Sequence, residues 1–212
     1  YNGRMNEYND FQYLWPPRPE TKIAKTMLGF YQTRGYMAQK KKNGTCTVIF
    51  SCGDKVLFKT RHGDENDGNH KLWTPQDDHI KFFQGREKWN VYVAELLHSK
   101  TPTVKNQLYI FDIIVDEGEQ LVDTTFEERQ LLLQSRWTGD YEPLKHQTRV
   151  HEYVSVAENL TGDFDSIYDN LQPEDEGLVL KNPTAKLKAC LKPDSNAPWQ
   201  VKCRVTTKNY SF

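Results

Sequence analysis

The 212-residue chain has no apolar run approaching the length of a membrane span. Its opening residues also lack the charged-then-apolar pattern of a secretory signal. No membrane partner is expected, and an intracellular location is. Cysteine is sparse: Cys46, Cys52, Cys190 and Cys203 are all there is, none in a CxxC pair and with no histidine at finger-like spacing. A structural zinc site is therefore unsupported, and free thiols in a reducing compartment are expected. Neither GxGxxG nor GxxxxGK[ST] occurs, which removes the sequence support for a dinucleotide fold or a P-loop. Internal repeats and low-complexity tracts are lacking too, and a net charge of -1 supplies no global field for a polyanion.

What is present is an ordinary globular composition, 37% hydrophobic and 27% charged, with charge distributed unevenly. Lysines gather at Lys40 to Lys42 and from Lys181 through Lys208, while Asp163 to Glu176 is acidic. Local basic patches on a near-neutral chain suit a protein that holds phosphates on one face. Residues 1–20, interrupted by Pro16, Pro17 and Pro19, read as an extended arm. Periodicity predicts a helix over Thr21 to Thr33, ended by Gly35, and then strands over Tyr36 to Lys40, Thr45 to Phe50 and Lys55 to Thr60. Asn43-Gly44 and Gly53-Asp54 are read as the turns between these strands. His62 to Asn69 is a polar loop, and Gln76 to Phe83 a short helix. Strands follow over Asn90 to His98, Gln107 to Val115, His151 to Val156, Gly177 to Asn182 and Trp199 to Val205. Thr125-x-x-Glu128 is a capping box opening a helix to about Ser135. Phe164, Ile167, Tyr168 and Leu171 mark another helix. The sum is an α+β fold of antiparallel sheets with flanking helices, not an alternating βαβ one.

Lys41-Lys42-Asn43-Gly44-Thr45 joins a strand to a turn. By itself it is an ordinary basic turn, because Asn-Gly is a common hairpin signal. The other reading is a nucleophilic lysine aimed into a cleft. A lysine attacks phosphorus only when neutral, and an unperturbed amine is neutral in about one molecule in a thousand at pH 7. Burial and adjacent cations favour the neutral form, and Lys40 and Lys42 are candidates for those cations. A carboxylate inside a strand as apolar as Val91 to Leu97 is costly unless paired, so Glu95 needs a partner.

The Lys-x-x-Gly spacing resembles motif I of the covalent nucleotidyltransferases, the superfamily of DNA ligases, RNA ligases and capping enzymes. Four further stretches match in the family's order. Thr60-Arg61-His62-Gly63 is similar to its Ser-Arg-x-Gly element, and Tyr109 to Ile114 with Phe126-Glu127-Glu128-Arg129 to motif III and its trailing helix. Glu176 to Lys181 is a close match to motif IV, and Trp199 to Arg204 resembles motif V. Val93-Ala94-Glu95-Leu96 looks like the strand that carries a glutamate to the nucleotide sugar or the metal.

The resemblance implies a nucleotidyltransferase (ATP-grasp-like adenylation) fold over residues 21–212, without the C-terminal OB-fold domain that ligases normally add. It implies ATP and Mg2+ as cofactors and Lys41 as the residue that takes up AMP. Arg61 would hold ribose or phosphate, Phe111 would stack on the purine, and Gln39 would accept from the adenine amino group. Lys181, Lys202 and Arg204 would neutralise phosphates, and Glu95 and Glu176 would contact metal or ribose. The implied partner is a nucleic acid with a 5′-phosphate end or nick, sealed to a 3′-OH by a monomeric enzyme. Glu176 at the start of motif IV favours a ligase over a GTP-using capping enzyme. The Phe-Glu-Glu-Arg helix favours DNA. Asn43 and Cys46 stand where DNA ligases have aspartate and arginine, and Lys-x-x-Gly-Thr is equally at home among RNA ligases. The loop bearing Lys186, Lys188 and Lys192 is expected to meet the strand backbone beside the break, where contacts would be salt-dependent and blind to sequence.

Overall fold

The structure is a computed structural model, which describes residues 17–19, 21–61, 70, 72–189 and 197–205. The elements run α1 (Leu28–Thr33), β1 (Met37–Lys42), β2 (Thr45–Cys52), β3 (Lys55–Thr60), α2 (Asp77–Phe83), β4 (Asn90–Leu97), β5 (Gln107–Asp116) and β6 (Glu119–Gln120). They continue with α3 (Phe126–Arg136), β7 (Asp140–Glu142), β8 (Gln147–His151), β9 (Val154–Ala157), α4 (Phe164–Asp169), β10 (Asp175–Lys181) and β11 (Gln200–Arg204).

Two sheets form. The larger has the order β3-β2-β4-β5-β9-β8-β7, with β6 paired to β5, and the smaller is β1-β10-β11. The α+β class holds. The expectation of purely antiparallel sheets needs one correction: β9 runs parallel to β5. The chain leaves β5 through β6, α3 and the β7–β8 hairpin before returning, and a connection of that length permits a parallel neighbour.

Two apolar cores result. One packs the buried face of the large sheet, from Val48 and Ile49 through Val91, Tyr92, Ile110 and Ile113, against Phe58, Phe83 and Leu133. The other packs Ala38, Leu178, Leu180, Val201 and Cys203 of the small sheet against Leu28, Leu160 and Phe164. Alternation along β10 explains this division: Leu178 and Leu180 point into the second core, which leaves Val179 and Lys181 on the opposite face.

Three local expectations change. Thr21 to Thr33 is helical only from Lys25, where a 3-10 turn leads into α1. Thr21–Ile23 is extended instead, because its backbone pairs with Lys202: Ile23 N–H donates to Lys202 O at 2.9 Å and Lys202 N–H to Thr21 O at 2.9 Å. Asn43-Gly44 does not close a hairpin. It carries the chain from β1 in the small sheet to β2 in the large one. The strand expected over His151 to Val156 is two strands, β8 and β9, reversed at Glu152 and Tyr153. The capping box at Thr125 is present, with Glu128 N–H donating to Thr125 Oγ1 at 3.1 Å and Thr125 N–H to the Glu128 carboxylate at 2.8 Å. The described cysteines, Cys46, Cys52 and Cys203, are free thiols. Among the described residues no helix is long and apolar enough to cross a membrane. His62 to Asn69, Cys190, Lys192, Lys208 and most of the 1–20 arm lie outside the described residues.

Candidate active site

The small sheet sets three cross-strand rows two residues apart. Met37, Lys181 and Gln200 form one, Gln39, Val179 and Lys202 the next, and Lys41, Gly177 and Arg204 the third. A strand's period of two puts these rows on one face. Five of the polar residues singled out from sequence therefore share a surface: Gln39, Lys41, Lys181, Lys202 and Arg204. The large sheet faces it with a row of its own, Cys46, Glu95 and Tyr109. Between the two sheets lies a cavity of about 300 Å³, lined by Gln39, Lys41, Arg61, Glu95, Phe111, Lys181 and Lys202 among others. Glu176 and Arg204 sit beside it rather than in its lining.

Two register shifts shape this cavity. Along β5, Asp112 pairs with Val93 and Ile110 with Ala94, so Phe111 is the extra residue. Along β10, Gly177 pairs with Lys41 and Asp175 with Lys42, so Glu176 is the extra residue. A bulge re-aims the side chain it carries, and both of these carry an expected site residue. Gly177 accommodates the second bulge with φ +149, and a Cβ there would strike the Cys203 carbonyl. Gly44 is required for a different reason: its Cβ would collide with the Leu96 carbonyl, so the Lys-x-x-Gly turn can lie against β4 only without a side chain.

Lys41 Nζ donates to Glu176 Oε2 at 2.7 Å, and Arg204 approaches the other carboxylate oxygen at 3.7 Å. Burial pushes the Glu95 carboxyl up to about 7, with Lys41 opposing the shift and Glu176 adding to it. The Gly44 amide hydrogen-bonds the Glu95 carboxylate. Cys46 fills the place where a second arginine was missing from motif I. Arg61 lies against its thiol, which burial nonetheless pushes up.

Deeper in, Lys181 Nζ donates to Gln39 Oε1 at 2.7 Å and hangs 4.8 Å from the Phe111 ring centroid and 5.0 Å from that of Phe126. Burial lowers its pKa to about 8. Gln39 Nε2 donates to Asn159 Oδ1 at 2.9 Å and, at longer range, to Gln130 Oε1 and Phe111 O. The Gln39 oxygen expected to receive the adenine amino group thus accepts from Lys181 here. Two polar residues complete this network, buried Gln130 and half-buried Asn159, and neither was visible in the sequence as a site residue. Behind them Arg129 clamps Asp112 with hydrogen bonds of 3.0 and 3.3 Å and reaches Thr124 O at 3.0 Å, fixing α3 to β5.

One expectation is corrected by this geometry. Lys40 and Lys42 do not stand beside the Lys41 amine. Alternation turns them to the other face of β1, where each donates to one oxygen of Asp175 at 2.7 Å. The segment with Lys186 and Lys188 leaves β10 after Lys181, at the end of the strand away from Lys41, and is pinned to the start of α3 by the Leu187 N–H to Thr124 O bond of 2.8 Å.

A family model for the ATP-dependent DNA ligase domain matches residues 66–192, more than half of the chain, and the chain belongs to that family. Compared by sequence with curated proteins, it matches none. In fold it is similar to the ligase domain of M. tuberculosis LigD (TM-score 0.62, 16% identity, 93% of this chain and 60% of that one). It is also similar to mycobacterial DNA ligase D complexed with ATP and MES (TM-score 0.56, 18% identity, 93% and 61%). A third match is a Lig E DNA ligase described as binding DNA with a minimal scaffold (TM-score 0.50, 13% identity, 91% and 68%). The chain spans about three fifths of the length of the first two.

Proposed function

We propose that residues 21–212 are the adenylation domain of an ATP-dependent polynucleotide ligase, with 1–20 as an arm, and that Lys41 carries AMP. The observation that supports this most is the convergence on one cavity. An amine, a carboxylate, an aromatic ring and several cations, drawn from β1, β4, β5, β10 and β11, meet between the two sheets, with Glu176 beside them on Lys41.

In this reading the Lys41 amine attacks the α-phosphorus of ATP. The bond from that phosphorus to the bridging oxygen breaks, and pyrophosphate departs with its electron pair. The Glu176 oxygen 2.7 Å from Nζ is placed to take the proton the amine sheds. Lys202, Arg204 and Arg61 balance the charge that grows on the phosphates, which stabilises the transition state more than bound ATP. Phe111 offers its face to the purine. AMP then passes to a 5′-phosphate end, DNA favoured, and a 3′-OH displaces it to seal the strand.

Glu95 and Glu176 are the residues that would hold magnesium. Among the described residues no cluster of three or more His, Cys, Asp or Glu side chains forms a closed metal site. That fits magnesium, which takes one or two carboxylates and fills its remaining positions with phosphate oxygens and water. The carboxyl of Glu95, raised by burial and by Glu176, is one that a nearby cation would help to ionise. When bound, the ion would polarise the phosphates.

Incubation with labelled ATP or GTP and magnesium, followed by a denaturing gel, tests the reading. Label retained from ATP supports it. Label retained only from GTP favours a capping guanylyltransferase, and no label on folded protein overturns it. Sealing of nicked DNA against nicked RNA then separates the two acceptors.

A further inference from the structure

The Lys40–Asp175–Lys42 cluster asks for an explanation that the proposed chemistry does not give. Its side chains are 1% exposed for the two lysines and 0% for Asp175. Lys40 lies on the apolar face of the small sheet, in cross-strand register with Leu178 and next to Cys203, where an ammonium is expensive. Burial lowers the Lys42 pKa, and Asp175 works against that shift. The carboxylate that offsets both costs also accepts from the Gln172 amide at 2.9 Å, so it is anchored from three sides.

Its place in the register matters more than its burial. Asp175 and Gly177 pair with Lys42 and Lys41, and the residue squeezed out between them is Glu176. Two ion-pair clusters thus lie on opposite sides of one bulge: Lys40, Asp175 and Lys42, with the Lys42 amine 5.2 Å from the Tyr109 ring centroid, and Lys41, Glu176 and Arg204. If Asp175 slipped by one residue along β1, the bulge would relax, and a one-residue slip turns every side chain to the opposite face. The Asn43 amide bond to Glu174 O, 2.9 Å, ties the same end of the two strands.

We propose that Asp175 is a positioning residue for AMP transfer: by holding Lys40 and Lys42 it locks the β1–β10 bulge that aims Glu176 at Lys41. This rests on Lys41 being the AMP acceptor, and it deepens that reading by naming what fixes the acceptor's geometry. The clamp acts on the Lys41–Glu176 pair and not on the base and sugar contacts of the cavity. Its loss therefore lowers the rate of the chemical step and leaves ATP affinity nearly alone.

The decisive variant is Lys40→Met/Lys42→Met/Asp175→Leu, which removes the charges together and fills their space. Replacing a buried ion cluster by apolar groups of similar size generally preserves stability, whereas Asp175→Asn alone would leave two buried cations unpaired. Single-turnover formation of the AMP adduct is measured against ATP concentration, with folding checked by circular dichroism. The expected result is a maximal rate lowered by roughly a hundredfold, from misaligned reacting atoms, with half-saturating ATP within about twofold of the parent. Should the triple variant fail to fold, Lys42→Met, which leaves Asp175 paired to Lys40, is read in the same way and is expected to fall by roughly tenfold. A folded variant that adenylates at the parent rate, or one that loses ATP affinity in proportion to rate, overturns the proposal. A parent that forms no adduct would instead overturn the reading of Lys41.

Discussion

The Lys181 amine donates to Gln39 Oε1 at 2.7 Å while lying 4.8 Å from the centre of the Phe111 ring. Lys181, Gln39 and Phe111 thus meet at one end of the cavity between the sheets. A purine that stacks on Phe111 and donates to Gln39 would move this ammonium toward the phosphates.

Lys181 makes the stability of the ligand-free protein depend on alkaline pH. Its folded pKa of about 8 lies below the ordinary 10.5, so between those values the unfolded chain binds the extra proton. Stability from this group is complete above about 10.5 and is lost as pH falls to about 8, a span worth roughly 1–3 kcal/mol. Urea unfolding of the parent and of Lys181→Met at pH 7.5, 9 and 10 checks it. The parent should gain on the variant as pH rises, and parallel curves would show that the group is not depressed.

Phe111 should act through binding. Replacing a ring that stacks on a base costs about 1–3 kcal/mol. Phe111→Leu is therefore expected to raise half-saturating ATP by at least about fivefold in adduct formation, with the maximal rate within about threefold. A fall in maximal rate at unchanged ATP affinity would place Phe111 outside base recognition.

Arg129 should matter for folding instead. It is 1% exposed, and it clamps Asp112 from α3. Arg129→Ala leaves that carboxylate buried and unpaired, which typically costs about 3–5 kcal/mol. Arg129→Met/Asp112→Leu should recover most of the loss. Urea denaturation midpoints decide, and a double variant no more stable than the single one would contradict the pairing argument.

The sequence showed the residues more fully than their arrangement. β4 and β5 were legible as apolar runs, and the helix at Phe164 by its i, i+3, i+4, i+7 spacing, because both signals are local. The partition of strands between two sheets was not: Asn43-Gly44 is a hairpin signal locally and a sheet-to-sheet crossing in the fold. Nor could spacing show that Phe111 and Glu176 are bulge residues, since a bulge exists only against the partner strand. Lys40 carried a signal that went unread. A lysine that falls on the apolar period of a strand, between Ala38 and the chain's crossing to β2, requires a buried carboxylate, and Asp175 supplies it. Gln130 and Asn159 gave no such signal, because their role is to satisfy Gln39 across 91 and 120 residues of sequence.

The central claim is that Lys41 carries AMP, and peptide mass spectrometry after incubation with ATP and magnesium tests it most directly. The account predicts a single AMP adduct on the peptide containing Lys41, fragmenting to that residue, and none in Lys41→Ala. Adduct on Lys40 or Lys42, or undiminished labelling of Lys41→Ala, would contradict it.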